Sequence, residues 1–126
     1  MNADTFLLRQ AHPNFMDGEL PTSQVFMPNS GDEGKMSVYD GDQISPEDSY
    51  VHYTQVRKKQ SNSVWALTKQ EVDTNGVPGT PDPLPNFPSH AKIDFTQEPE
   101  RTWRKVAKRL KVLSIARGCQ YSPALH

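Results

Sequence analysis

Five of the chain's 11 prolines stand between residues 78 and 88: Pro78, Pro81, Pro83, Pro85 and Pro88. Each proline fixes φ and removes a backbone donor, so neither a regular helix nor a central strand can pass through this stretch. The spacing predicts an extended, partly polyproline-like loop crossing the surface. Pro78-Gly79-Thr80-Pro81 and Pro85-Asn86-Phe87-Pro88 match only the bare Pro-x-x-Pro spacing, with no flanking Arg. A packed crossover loop is therefore the plainer reading than a docking ligand.

The apolar stock is small. Leu, Ile, Val and Phe number 25 of 126 residues, which is lean for a globular chain but accompanied by a net charge of only −1. Disorder on composition alone calls for a high net charge as well. One folded domain over residues 1–126 is expected, with much loop. The longest apolar runs, such as Val64-Trp65-Ala66-Leu67, are far short of the roughly 20 residues that span a bilayer. Residues 1–9 show no basic start and no sustained apolar stretch, so no secretory signal is expected. The single cysteine, Cys119, allows neither an internal disulfide nor a multi-Cys metal site. His12, His52 and His90 lack ligand spacing, and no metal is expected. Together these features point to a cytoplasmic chain.

Local patterns predict four or five strands and two helices. Residues 5–11, 23–27, 36–39, 64–72 and 90–95 read as strands. In the last of these Ala91, Ile93 and Phe95 alternate with His90, Lys92 and Asp94, which places the polar three on a solvent face. Ser45-Pro46-Glu47-Asp48 starts a helix running to about residue 57, with Ser45 as cap and Pro46 in the first helical position. Residues 99–116 form the strongest helix, with Trp103, Val106, Ala107, Leu110 and Leu113 on one face and Gly118 as its stop. The expected class is α+β, a small and mostly antiparallel sheet with two helices and long Pro-rich loops.

The charge is segregated. Residues 1–100 hold all 15 acids and 7 bases, while residues 101–117 hold 7 bases and no acid. The helical period predicts Arg101, Arg104, Lys105, Lys108 and Lys111 exposed, and Trp103, Val106, Leu110 and Leu113 buried. Such a face can engage an acidic protein or nucleic-acid partner, or can simply offset the chain's own acidic body. No Gly-x-Gly-x-x-Gly, Walker loop or Gly-x-Ser-x-Gly is present. Arg9, His12, Ser23, Ser37, Tyr53, His90 and Asp94 form the polar set from which chemistry could be built. Cys119, near Arg117, is a marginal thiolate candidate. The leading expectation is a non-enzymatic interaction protein working partly through the basic C-terminal helix.

Residues 7–13 (LLRQAHP), 21–26 (PTSQVF), 35–38 (KMSV), 82–85 (DPLP) and 90–95 (HAKIDF) resemble a family of small bacterial proteins of unknown function. That resemblance spans most of the chain and implies no activity. The order of an Arg on the first strand followed by a Ser before an apolar segment also resembles ADP-ribosyltransferase-like folds. This second resemblance implies an NAD-processing alternative, with Arg9 (or His12) and Ser23 contacting NAD and Glu71 or Asp94 as the acid. Under it the catalytic candidates are Arg9, His12, Ser23 and His90, and NAD is the cofactor; otherwise no cofactor is expected. Fold-level likeness alone establishes no function.

Overall fold

The structure, a computed structural model, describes residues 1–125. Its strands are β1 (Phe6–Ala11), β2 (Met16–Asp17), β3 (Leu20–Pro21), β4 (Lys35–Asp40), β5 (Ser63–Thr68), β6 (Gly79–Pro81) and β7 (His90–Asp94). Five of them form one antiparallel sheet in the order β5-β1-β4-β7-β6, and β2 pairs with β3 in a small separate hairpin. The α-helices are α1 (Pro46–Val51), α2 (Lys69–Thr74) and α3 (Trp103–Arg117). The class is the α+β one expected, with three α-helices where the patterns suggested two.

Both faces of the sheet are covered. On one face Leu7, Met36, Val38, Leu67, Ala91 and Ile93 pack under Val106, Ala107 and Leu110 of α3, together with Val25, Phe26, Val72 and Phe95. On the other, Leu8, Tyr39, Val64 and Ala66 gather with Phe87, Tyr50 and Tyr53. Double coverage explains why β5 is an uninterrupted apolar run rather than an alternating one. It also corrects the expected solvent face of β7, where His90 is buried.

Two segments depart from their sequence patterns. Ser23–Phe26 is a 3₁₀ turn rather than a strand; Val25 and Phe26 both point into the core, which a strand's alternation forbids. The run 64–72 stops as a strand at Thr68, where a capping box begins α2. The Thr68 hydroxyl accepts the Glu71 N–H at 3.1 Å, and Glu71 Oε1 accepts the Thr68 N–H at 2.8 Å. The Ser45 cap forms as expected, its hydroxyl accepting the Asp48 N–H at 3.1 Å. Beyond α1, however, His52–Val56 continues as a π-helix.

The proline stretch supplies the short edge strand β6, where Pro81 needs no ladder donor. The sheet curls enough for α2 to join its two edges. Asp73 Oδ1 accepts the Gly79 N–H at 3.0 Å, and Lys69 Nζ donates to the Gly79 carbonyl at 2.9 Å. A Cβ at Gly79 would lie 2.6 Å from Leu7 Cδ1 and 3.0 Å from Val72 Cγ2, so a larger residue would have to displace these buried side chains. α3 ends as expected at Gly118, with φ +100°. Its apolar stripe is narrower than the pattern implied, since Trp103 and Leu113 are only half-buried and Lys111 is half-buried rather than exposed.

Candidate functional site at the split in the sheet, and the basic helix

The sheet is zipped at one end and open at the other. β1 pairs with β5 over its whole length, Phe6↔Thr68 to Ala11↔Ser63, and β4 pairs with β7 from Lys35↔Asp94 to Tyr39↔His90. Between β1 and β4 only Leu7↔Asp40 and Leu8↔Tyr39 pair, so the two leaves part at Arg9. The Arg9 guanidinium fills the wedge. Nε donates to the Val25 carbonyl at 2.8 Å, Nη1 to the Ser37 carbonyl at 2.8 Å and Nη2 to the Met27 carbonyl at 3.3 Å. Where the strands part, the Ser37 carbonyl of β4 needs a donor, and one planar fork satisfies it together with the Val25 and Met27 carbonyls of the 3₁₀ segment. Arg9 is 9% exposed, and among the described residues no carboxylate lies within 4.0 Å of it. Burial lowers its pKa from the ordinary value, while Tyr53 and Asp32 act in the opposite sense; the group stays a cation.

Next to Arg9, Ser37 meets His90. His90 Nε2 is 3.2 Å from Ser37 Oγ, and Nδ1 is 2.8 Å from the Asp82 carbonyl and 3.3 Å from Asp82 Oδ2. A carbonyl only accepts, so Nδ1 carries a proton. In the neutral ring Nε2 is then the acceptor, and Ser37 donates to it. The Asp82 backbone and side chain thus fix the tautomer, and the proline loop that carries Asp82 is what closes over His90.

The rim comes from α1 and its π-helical continuation. The wider π turn, closed by the Arg57 N–H on the His52 carbonyl at 3.0 Å, brings Tyr53 and Arg57 to the mouth of the split. π turns recur at functional sites. Arg57 lies over the Phe87 ring at 5.1 Å, and His52 Nδ1 is 2.8 Å from the Tyr39 hydroxyl. Burial pushes the Tyr39 phenol up, and burial with the Arg57 charge pushes His52 down. The cavity at this mouth measures about 40 Å³.

The four residues grouped under the enzymatic alternative do not converge. Arg9 and His90 stand on either side of Ser37, as described. His12 lies past the end of β1, where its Nδ1 accepts the Asn14 N–H at 3.0 Å, and Ser23 opens the 3₁₀ turn; neither lines the cavity. The two candidate acids have structural work instead. Asp94 caps the Phe95–Gln97 turn, accepting from the Thr96 N–H at 2.8 Å, and its pKa is lowered chiefly by the Thr96 hydroxyl. Glu71 holds the α2 cap and accepts from Arg117 Nη2 at 2.8 Å. Arg57 and Asp82 were absent from the sequence-derived set. Arg57 follows Tyr53 by four residues on a predicted helix, a same-face signal that was readable. Nothing local marks Asp82, whose partner comes from another strand.

Glu71 supplies a testable pH dependence. Burial pushes its carboxyl up, but hydrogen bonds from Arg117 and Thr68 outweigh this and leave it below its ordinary value. A lowered folded-state pKa stabilises fully above the unfolded value of about 4.3, and the contribution is lost as pH falls through the folded value. Glu71→Gln is therefore expected to lower the melting temperature at pH 7 and to have less effect below about pH 4. Equal losses at both pH values would contradict this assignment.

The second candidate surface is α3. The helix begins at Trp103 rather than near residue 99, so Arg101 stands in the 3₁₀ turn before it; Arg101, Arg104, Lys105, Lys108 and Arg109 are exposed, and among the described residues none has a carboxylate within 4.0 Å. Arg117 differs, turning inward to the Ala66 carbonyl at 3.0 Å and to Glu71. A larger cavity of about 170 Å³ lies beside the β2–β3 hairpin and includes Glu19, Ser63 and Cys119. Its thiol is pushed up by burial, the reverse of the activation that a nearby Arg117 suggested. Among the described residues no helix is long and apolar enough to cross a membrane. Comparison with family models, curated proteins and solved structures finds no match to this chain.

Proposed function

We propose that this chain is an interaction module that engages an acidic macromolecular partner, a protein face or a nucleic-acid backbone, through α3. The observation that carries this reading is that, among the described residues, four exposed cations on one 15-residue helix about 22 Å long, and Arg101 in the turn before it, have no carboxylate partner. If the helix merely offset the acidic body, those cations would meet its carboxylates, as Arg117 alone does. Val112, 64% exposed, stands among them and offers an apolar contact at the centre of the stripe. For the NAD-processing alternative, both acids it names, Glu71 and Asp94, are engaged away from Arg9.

Each neutralised phosphate adds about −0.7 to −0.9 to the slope of log K against log salt. With four or five cations reaching a nucleic acid, a slope of roughly −2 to −4 is expected after allowing for incomplete contact. Lys105→Glu with Lys108→Glu should flatten that slope and leave the melt nearly unchanged, since exposed charges contribute little to stability. Salt titrations against mixed-sequence RNA, duplex DNA and a poly-glutamate peptide separate the two partner classes. Absence of binding to all three at low salt would remove the reading.

A further inference from the structure

A buried guanidinium ordinarily faces a carboxylate, because a cation taken out of water needs an opposite charge. Arg9 has none. Three of its five N–H groups go to carbonyls, leaving one N–H on each Nη. Arg57 lines the same cavity, and among the described residues its side chain makes neither a hydrogen bond nor an ion pair. Tyr53 lines it too, and its hydroxyl likewise makes no hydrogen bond. One acid is present at the rim. Asp32 accepts the Asn29 N–H at 3.0 Å within its own turn, which leaves the mouth with a net charge of one positive.

The donors stand at two levels, the strand floor at Arg9 and the helical rim at Arg57 and Tyr53. A carboxylate presents two oxygens in one plane and matches a single fork. A phosphoryl group presents three oxygens in three directions, which suits two guanidiniums and a phenol. The cavity of about 40 Å³ accommodates roughly three water-sized spheres, enough for one oxyanion head and far too little for a dinucleotide. We propose that the split between β1 and β4 is a binding site for the phosphoryl group of a small phosphorylated ligand, held by Arg9, Arg57 and the Tyr53 hydroxyl. The site is separate from α3 and does not depend on the reading given to that helix.

Inorganic phosphate is the probe. It is titrated into the ¹⁵N-labelled full chain at constant ionic strength, with sodium chloride exchanged for phosphate and amide and Arg Nε–H resonances followed. Saturable shifts are expected at Arg9, Tyr53 and Arg57. Arg57→Gln should weaken binding about tenfold or more, the usual scale for losing one charge-assisted contact. Tyr53→Phe, which removes only the hydroxyl, should weaken it by a smaller factor, and Lys105→Glu with Lys108→Glu should leave it unchanged. Shifts confined to α3, shifts that never saturate, or an affinity indifferent to Arg57→Gln would each overturn the proposal. Acetate binding as tightly as phosphate would overturn the phosphoryl assignment.

Discussion

Phe95→Ala is expected to lower stability by about 3–5 kcal/mol, the usual cost of emptying a fully buried aromatic site. Phe95 is 0% exposed and packs edge-on against Trp103 with ring centroids 5.9 Å apart. Its backbone N–H is fixed on the Gly34 carbonyl at 2.8 Å, so the turn around it cannot easily collapse into the void. For a chain of this length the change corresponds to a melting temperature lower by roughly 10–20 °C. Trp103→Ala is expected to cost less, about 1–2 kcal/mol, because its ring is half-exposed and loses only part of its apolar contact. It also gives up one hydrogen bond, from Nε1 to the Glu98 carbonyl at 3.0 Å. Thermal melts of the two variants side by side decide the point; a larger loss for Trp103→Ala would mean that the core is centred on the helix rather than beneath it.

Arg9→Ala is the second large effect. Two terms of opposite sign compete. Removing the guanidinium strips three carbonyls, one buried and two half-buried, of charge-assisted hydrogen bonds, each contributing about 1.5–3 kcal/mol. It also removes a cation whose burial costs several kcal/mol by itself. Because the split opens to solvent, water can enter and recover part of the first loss. The net expectation is a destabilisation of about 2–4 kcal/mol. Arg9→Lys should recover little of it, since one ammonium cannot span carbonyls of Val25, Met27 and Ser37 contributed by different segments. Chemical denaturation of the two variants tests this. A gain in stability from Arg9→Ala would show that the arginine is kept against the interest of the fold, as functional residues often are.

Much of this architecture is local and was readable from residue patterns. Alternation in 36–39 and 90–95, the Ser45-Pro46 start and the 3.6-residue stripe of 103–113 each report which way neighbouring side chains point, and that is decided within a few residues. Thr68-x-x-Glu71 was equally readable as a capping box, but β-branched and apolar residues before it made the strand pattern dominate. The charge block was visible too, but not that Arg117 turns back into the body or that Lys111 is half-buried.

The pocket was not legible, and the reason is physical. A period shows which face of a strand is buried; it carries nothing about where two strands stop pairing. The opening between β1 and β4 depends on pairing between segments more than about 30 residues apart, and only there does Arg9 become a cation among carbonyls. His90 read as a surface residue because its own strand alternates, and it is buried because Phe87 and Asp82, brought over by the proline loop, cover it. The sequence by itself determined β1, β4, β7, α1, α3 and the run of bases at 101–111, but not α2, β6 or the turn at Ser23–Phe26. Tertiary structure alone decided which polar groups share one small cavity, because convergence of that kind is set by strand pairing and loop closure rather than by any neighbour along the chain.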